Sequence, residues 1–143
     1  MRSDDPSCNW YKRLTNHHSK FTPLYGVDDT GDVYKPENLA DVADYIQKKH
    51  AEINLAVADG GFKVQKDTKG NHIEQLQEVY SARIVFSQTL LMMKTLQPNG
   101  HFVCKLFDSY SNVTTSTIYL VSLLFKKCYI VKPFRSRAVN SER

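Results

Sequence analysis

Two nearly continuous apolar runs, each with a single charged residue at or near its end, constrain the fold of this chain most. The first is Ile53–Ala58, followed by Asp59 and the pair Gly60-Gly61. The second covers residues 101–107, where Lys105 interrupts Phe102, Val103, Cys104, Leu106 and Phe107. A run without polar alternation reads as a strand covered on both faces, the pattern of a parallel sheet. Parallel neighbours need a long crossover. Residues 72–96 supply one, with Ile73, Leu76, Tyr80, Ile84 and Leu91 on one helical face. In an open α/β sheet, ligands and chemistry gather at the carboxyl ends of the strands. An acid and a lysine at the ends of successive strands therefore predict a reactive site.

The remaining elements fit the same frame. Residues 1–35 carry turn formers and little periodicity, and Asp28-Asp29-Thr30-Gly31-Asp32 is a strong turn signal. Pro36-Glu37-Asn38 opens a helix, because proline suits the first turn and an acid suits its positive end. Leu39, Val42, Ala43 and Ile46 recur at helical spacing, and Lys48, Lys49 and His50 fit the last turn. Residues 63–71 form a polar loop, and Pro98-Asn99-Gly100 ends the long helix. Residues 109–117 are polar and read as a loop or as the start of a helix, 118–125 read as the buried part of that helix, and 128–131 read as a third strand stopped by Pro133. Alternating helices and strands imply crossovers in a mostly parallel sheet.

A chain of 143 residues suits one domain. No apolar run approaches the roughly 20 residues that span a membrane, and the N-terminus lacks the pattern of a secretory signal. Cys8, Cys104 and Cys128 have no metal-ligand spacing; Cys104 and Cys128 sit in apolar runs and read as small core residues in a reducing compartment. His17, His18, His50, His72 and His101 do not pair with cysteines or carboxylates at ligand spacing, so no metal is assigned. The net charge is +4, with Lys126, Lys127, Lys132, Arg135, Arg137 and Arg143 near the C-terminus. Such a rim permits phosphate-backbone binding, although an ordinary solvated surface has the same composition.

Three residues carry the candidate chemistry. Asp59 ends a strand beside two glycines, where the backbone can approach a ligand closely; it is equally a turn-forming Asp. A lysine within an apolar run must reach solvent, pair with an acid or lose its charge. At a strand end beside Asp59 pairing fits, and a lysine with a lowered pKa can act as a general base. The alternatives for Lys105 are an ion pair without chemistry or a snorkelling surface residue. Glu142 follows the third strand and could bond Lys105 or orient a hydroxyl substrate. Asp32, in the acid-rich turn, could accept a bond from an adenine amino group.

At these residues the chain resembles the FtsJ/RrmJ-type ribose 2′-O-methyltransferases, and within them the eukaryotic cap-specific branch that acts on the first transcribed nucleotide. The resemblance rests on Gly-Asp-Val-Tyr-Lys-Pro-Glu-Asn (31–38), Ala-Asp-Gly-Gly-Phe (58–62), Leu-Gln-Glu (76–78), Gly-His-Phe-Val-Cys-Lys-Leu-Phe-Asp (100–108) and Lys-Pro-Phe-Arg-Ser-Arg-Ala-Val-Asn-Ser-Glu-Arg (132–143). It implies a Rossmann-like methyltransferase fold, of which this chain holds the C-terminal half of a mostly parallel sheet with flanking helices. It further implies S-adenosylmethionine as cofactor, capped mRNA as partner and the nucleus as location. Within the family's Lys-Asp-Lys-Glu tetrad, Asp59 takes the acid, Lys105 the second lysine and general base, and Glu142 the final acid. Asp32, Val33 and Asp59 fall at cofactor positions, and Gln75 and Asn140 at capped-RNA contacts.

The family's glycine-rich cofactor loop and first lysine belong well upstream of Asp32. Gly26 and Gly31 are the only early glycines, and Lys12 and Lys20 lie too close to Asp32. Residues 1–143 are therefore expected to form the C-terminal part of a catalytic domain. Two other readings remain at this point: a non-catalytic RNA-binding module that kept the cleft, and an unrelated doubly wound nucleotide-binding domain.

Overall fold

The structure is a computed structural model and describes residues 21–61, 77–136 and 143. The chain divides into two compact units, Met1–Ala51 and Glu52–Arg143.

The first unit is a tied turn leading into helix α1, Pro36–Lys48. Proline stands in the first turn with Glu37 beside it, and Lys48 lies in the last, so both ends carry charge of the favoured sign. Leu39 and Ala43 form the buried stripe. The helix closes through a left-handed His50 (φ 49°), with Ala51 N–H bonded to Ile46 O at 3.2 Å and His50 N–H to Gln47 O at 2.9 Å. That pairing caps the last carbonyls as a Schellman motif does, with histidine where glycine is usual.

The second unit holds β1 (Ile53–Ala58), α2 (Gln77–Thr95), β2 (Leu96–Cys104) and α3 (Asn112–Leu124). β1 and β2 are parallel neighbours, as the two apolar runs predict. Their register runs Leu55↔His101, Ala56↔Phe102, Val57↔Val103 and Ala58↔Cys104, whereas Ile53 pairs with Leu96. The extra residues of β2 bulge at the Pro98-Asn99-Gly100 turn, where Asn99 has φ 66°. β2 thus starts earlier and ends earlier than residues 101–107, because the turn is absorbed into the strand as a bulge.

Several expectations need correction. β1 is covered on one face only: Ala58 is buried, but Leu55 and Val57 are more than half exposed. Of the face read for α2, Ile84 is buried, Tyr80 is exposed, and Ile73 and Leu76 fall outside the described residues; the other buried residues are Glu78, Ser81, Val85, Ser87, Thr89 and Met92. Small polar residues let α2 approach closely: Thr89 satisfies its own hydroxyl on Val85 O at 2.8 Å and Ser81 on Glu78 O at 3.0 Å. In α3 the buried residues are Thr114 and Thr117, and Leu120, Leu123 and Leu124 are exposed. Residues 128–131 form no strand, because they have no ladder partner among the described residues; Cys128, Tyr129, Ile130 and Val131 are exposed. Phe102 stacks on Phe125 with ring centroids 6.4 Å apart, which ties β2 to the end of α3.

Candidate active site

The parallel register carries the last residues of the two strands to one end of the sheet. Lys105 N–H donates to Ala58 O at 2.9 Å, continuing the ladder one step past the Ala58↔Cys104 pair. The next side chains are Asp59 and Lys105, and the Lys105 ammonium forms an ion pair with Asp59 Oδ1. Lys105 is about two-thirds buried and Asp59 about one-third, so the pair sits at the rim and not in the core. The Lys105 Nζ also lies 5.7 Å from the centroid of the Phe107 ring, within cation–π range. The negative charge of Asp59 extends to its neighbours: burial first, and Asp59 second, push the Cys104 thiol up to about 11.

Gly60 fixes where Asp59 stands. A Cβ there would lie 1.9 Å from Gln88 Nε2 and 2.8 Å from Ile84 Cδ1, so the end of β1 passes close to α2 and a larger residue would make these side-chain ends turn aside. Downstream of Lys105, Leu106 and Arg143 exchange both backbone hydrogen bonds, at 2.9 and 2.8 Å. Reciprocal bonding of one pair is the antiparallel pattern.

A residue that sequence reasoning gave no role organises the segment after β2. Glu78, in the first turn of α2, is 8% exposed, and its Oε1 accepts the Ser111 N–H at 2.7 Å. Ser111 is the N-cap of α3, its hydroxyl accepting the Thr114 N–H at 3.2 Å. Burial raises the Glu78 carboxyl, but bonds from Ser111, Thr114 and the Tyr110 backbone outweigh it and hold the group below the usual carboxylate range. No local signal links positions 78 and 111; only the fold brings them together.

Asp32 and Val33 lie in the first unit. Asp32 N–H donates to Thr30 Oγ1 at 3.1 Å and Asp32 Oδ1 accepts the Tyr34 N–H at 2.9 Å. Gln75, Asn140 and Glu142 fall outside the described residues. Among the described residues no group of three or more His, Cys, Asp or Glu could hold a metal ion, and no helix is long and apolar enough to cross a membrane.

A parallel α/β sheet with an acid–lysine pair at its carboxyl end defines a class of α/β enzyme that works at strand ends. The chain belongs to the FtsJ-like methyltransferase family, whose pattern matches residues 7–143. It is 42% identical over 135 residues to the cap-specific mRNA (nucleoside-2′-O-)-methyltransferase 1 of Trypanosoma brucei brucei, covering 94% of this chain and 34% of the relative. Proteins of the same name from Dictyostelium discoideum and Bos taurus are 37% and 34% identical, covering 95% and 86% of this chain but 18% and 15% of those proteins. The chain thus spans about a third or less of the length of these curated relatives.

Proposed function

We propose that this chain takes part in transferring a methyl group from S-adenosylmethionine to the ribose 2′-hydroxyl of the first transcribed nucleotide of capped mRNA. The observation that carries the reading is the Asp59–Lys105 ion pair at the ends of adjacent parallel strands, in a chain of the FtsJ-like family. The names of the relatives supply the cap-specific substrate and the 2′-O position. We also propose the nucleus as the location, supported by relatives named as cap-specific mRNA methyltransferases.

In this reading Lys105 first gives up its own proton to solvent and, as the neutral amine, takes the proton from the ribose hydroxyl, while Asp59 holds the Lys105 Nζ at the strand ends where the hydroxyl must arrive. Glu142 completes the arrangement. Its support is that the next residue, Arg143, is bonded to Leu106, the residue after Lys105. Gln75 and Asn140 contact the capped RNA, and the basic residues between 126 and 143 face its phosphates. When bound, S-adenosylmethionine supplies a methyl group already activated by a sulfonium, so the protein's task is positioning and proton removal.

The residues present fit an adenosine group. Asp32 Oδ1, N–H and carbonyl O are all engaged within the turn, and the Asp32 charge also acts on Lys35. The second carboxylate oxygen of Asp32 is an acceptor and the Val33 N–H a donor on consecutive residues, and we assign them to the amino group and ring nitrogen on the edge of adenine. The test is methyl transfer from labelled S-adenosylmethionine to capped RNA whose first nucleotide carries a ribose or a 2′-deoxyribose. Label on the ribose form alone is expected; equal labelling of both would reject the 2′-O assignment.

A further inference from the structure

We propose that Asn38 is the positioning residue of the adenosine-binding turn, its buried amide holding Asp32 and Val33 in the form that reads an adenine edge. This role rests on the reading of Asp32 and Val33 given above.

Asn38 sits in the first turn of α1, and although polar it is only 3% exposed. Its Nδ2 donates to Asp28 Oδ1 at 2.9 Å and to the Asp32 carbonyl O at 3.0 Å, with Thr30 Oγ1 further away at 3.5 Å. All three partners act as acceptors here, so the amide can face only one way. Its Oδ1 is then directed elsewhere and has no hydrogen-bond partner among the described residues. Leaving a buried acceptor unpaired costs free energy, so the donations on the other side must be what the position retains.

The space for this amide is made by Gly26. A Cβ on Gly26 would stand 2.3–2.5 Å from Cγ, Oδ1 and Cβ of Asn38, and its φ of +79° is one that other residues rarely adopt. Asp28 forms the other half of the clamp. It accepts the Thr30 N–H at 3.1 Å, the Thr30 hydroxyl at 2.7 Å and the Lys35 ammonium. The Lys35 contact is the largest cause holding Asp28 well below the usual carboxylate range.

The bonds of Asp32 are thus nearly all spent on holding its own turn. The backbone O goes to Asn38, the N–H to Thr30 and one carboxylate oxygen to Tyr34. The groups of the turn not used in these bonds are Oδ2 and the neighbouring Val33 N–H. Fixing a recognition pair before the ligand arrives spares the ordering cost at binding.

The test uses the full 143-residue chain and the isosteric change Asn38→Asp, which turns the donor into an acceptor facing Asp28 and the Asp32 carbonyl. Two readouts are taken. Amide hydrogen exchange should accelerate at least about tenfold at Thr30, Asp32 and Tyr34, with the amides of the second half of α1 unchanged. Calorimetry against S-adenosylhomocysteine and its inosine counterpart should show wild type favouring adenine, and the variant binding about tenfold to a hundredfold more weakly with that preference lost. General loss of structure would weaken both ligands alike and keep the preference. Should Asn38→Asp unfold, Asn38→Ser shortens the reach without adding charge and carries the same test. Unchanged exchange in the turn, or a retained adenine preference, would overturn the role of Asn38. Binding of neither compound by wild type would instead reject the adenosine reading itself.

Discussion

Replacing Glu78 by Gln removes one charge and no volume, and the structure sets the size of the effect. The carboxylate is 8% exposed and accepts the Ser111 N–H at 2.7 Å at the start of α3. A hydrogen bond to a charged acceptor contributes about 1.5–3 kcal/mol, and an anion at a helix N-terminus about 0.3–1 kcal/mol more. Gln keeps a neutral acceptor, so part of the first contribution survives. The expected loss is about 2 kcal/mol at neutral pH, or roughly 8 °C in Tm for a chain of this size. The pH dependence follows from the lowered carboxyl. The native state binds this proton less readily than the unfolded chain, so the stabilisation is fully present above the ordinary glutamate value of 4.5 and is lost as the pH falls through the lower native value. Urea unfolding followed by circular dichroism between pH 3 and 7 measures it. Wild type and Glu78→Gln should differ most at pH 7 and converge in acid. A loss below about 0.5 kcal/mol at pH 7, the range of ordinary surface changes, or a gap that stays constant with pH, would refute the assigned role.

Three further outcomes are expected. Gly60→Ala should destabilise the second unit by about 1 kcal/mol, the low end for overpacking because Gln88 Nε2 and Ile84 Cδ1 are side-chain ends that can shift, and Gln88→Ala should restore part of it; additive losses in the double variant would contradict the contact. With its thiol pushed up to about 11 by burial and by Asp59, Cys104 should be about one part in a thousand thiolate at pH 8. Peptide mapping after brief alkylation should therefore find the exposed Cys128 modified well before it, and equal labelling would contradict that environment. Phe107→Leu removes the ring beside the Lys105 Nζ and should shift the Lys105 side-chain methylene resonances downfield by loss of ring-current shielding; no change would place the ring elsewhere.

What the sequence revealed and what it hid divide along physical lines. Ile53–Ala58 was legible as a parallel strand because an unbroken apolar run has few other uses, and Asp59 and Lys105 were legible because a charge at the end of such a run needs a reason. Pro36 and Glu37 marked a helix start by local chemistry alone. The face of α2 was read in part: Ile84 is buried, but hydrophobicity marks burial only when large residues fill the interface, and here Ser81 and Thr89 are buried with their hydroxyls turned back onto the helix. Residues 128–131 have strand composition, but a strand requires a partner, and among the described residues they have none. Glu78 was invisible as a functional group because its partner Ser111 lies 33 positions away. Asn38 was visible only as a helix opener, since its bond to the Asp32 carbonyl is made by the turn and not by spacing.

The central claim is that Lys105, held by Asp59, removes the proton during 2′-O-methyl transfer. It is tested most directly by measuring single-turnover methylation of capped RNA by wild type and Lys105→Ala, with S-adenosylmethionine affinity measured in parallel. A positioned general base contributes about a hundredfold to ten-thousandfold. The account predicts a rate loss in that range with cofactor affinity unchanged. A variant that methylates at close to the wild-type rate would contradict it.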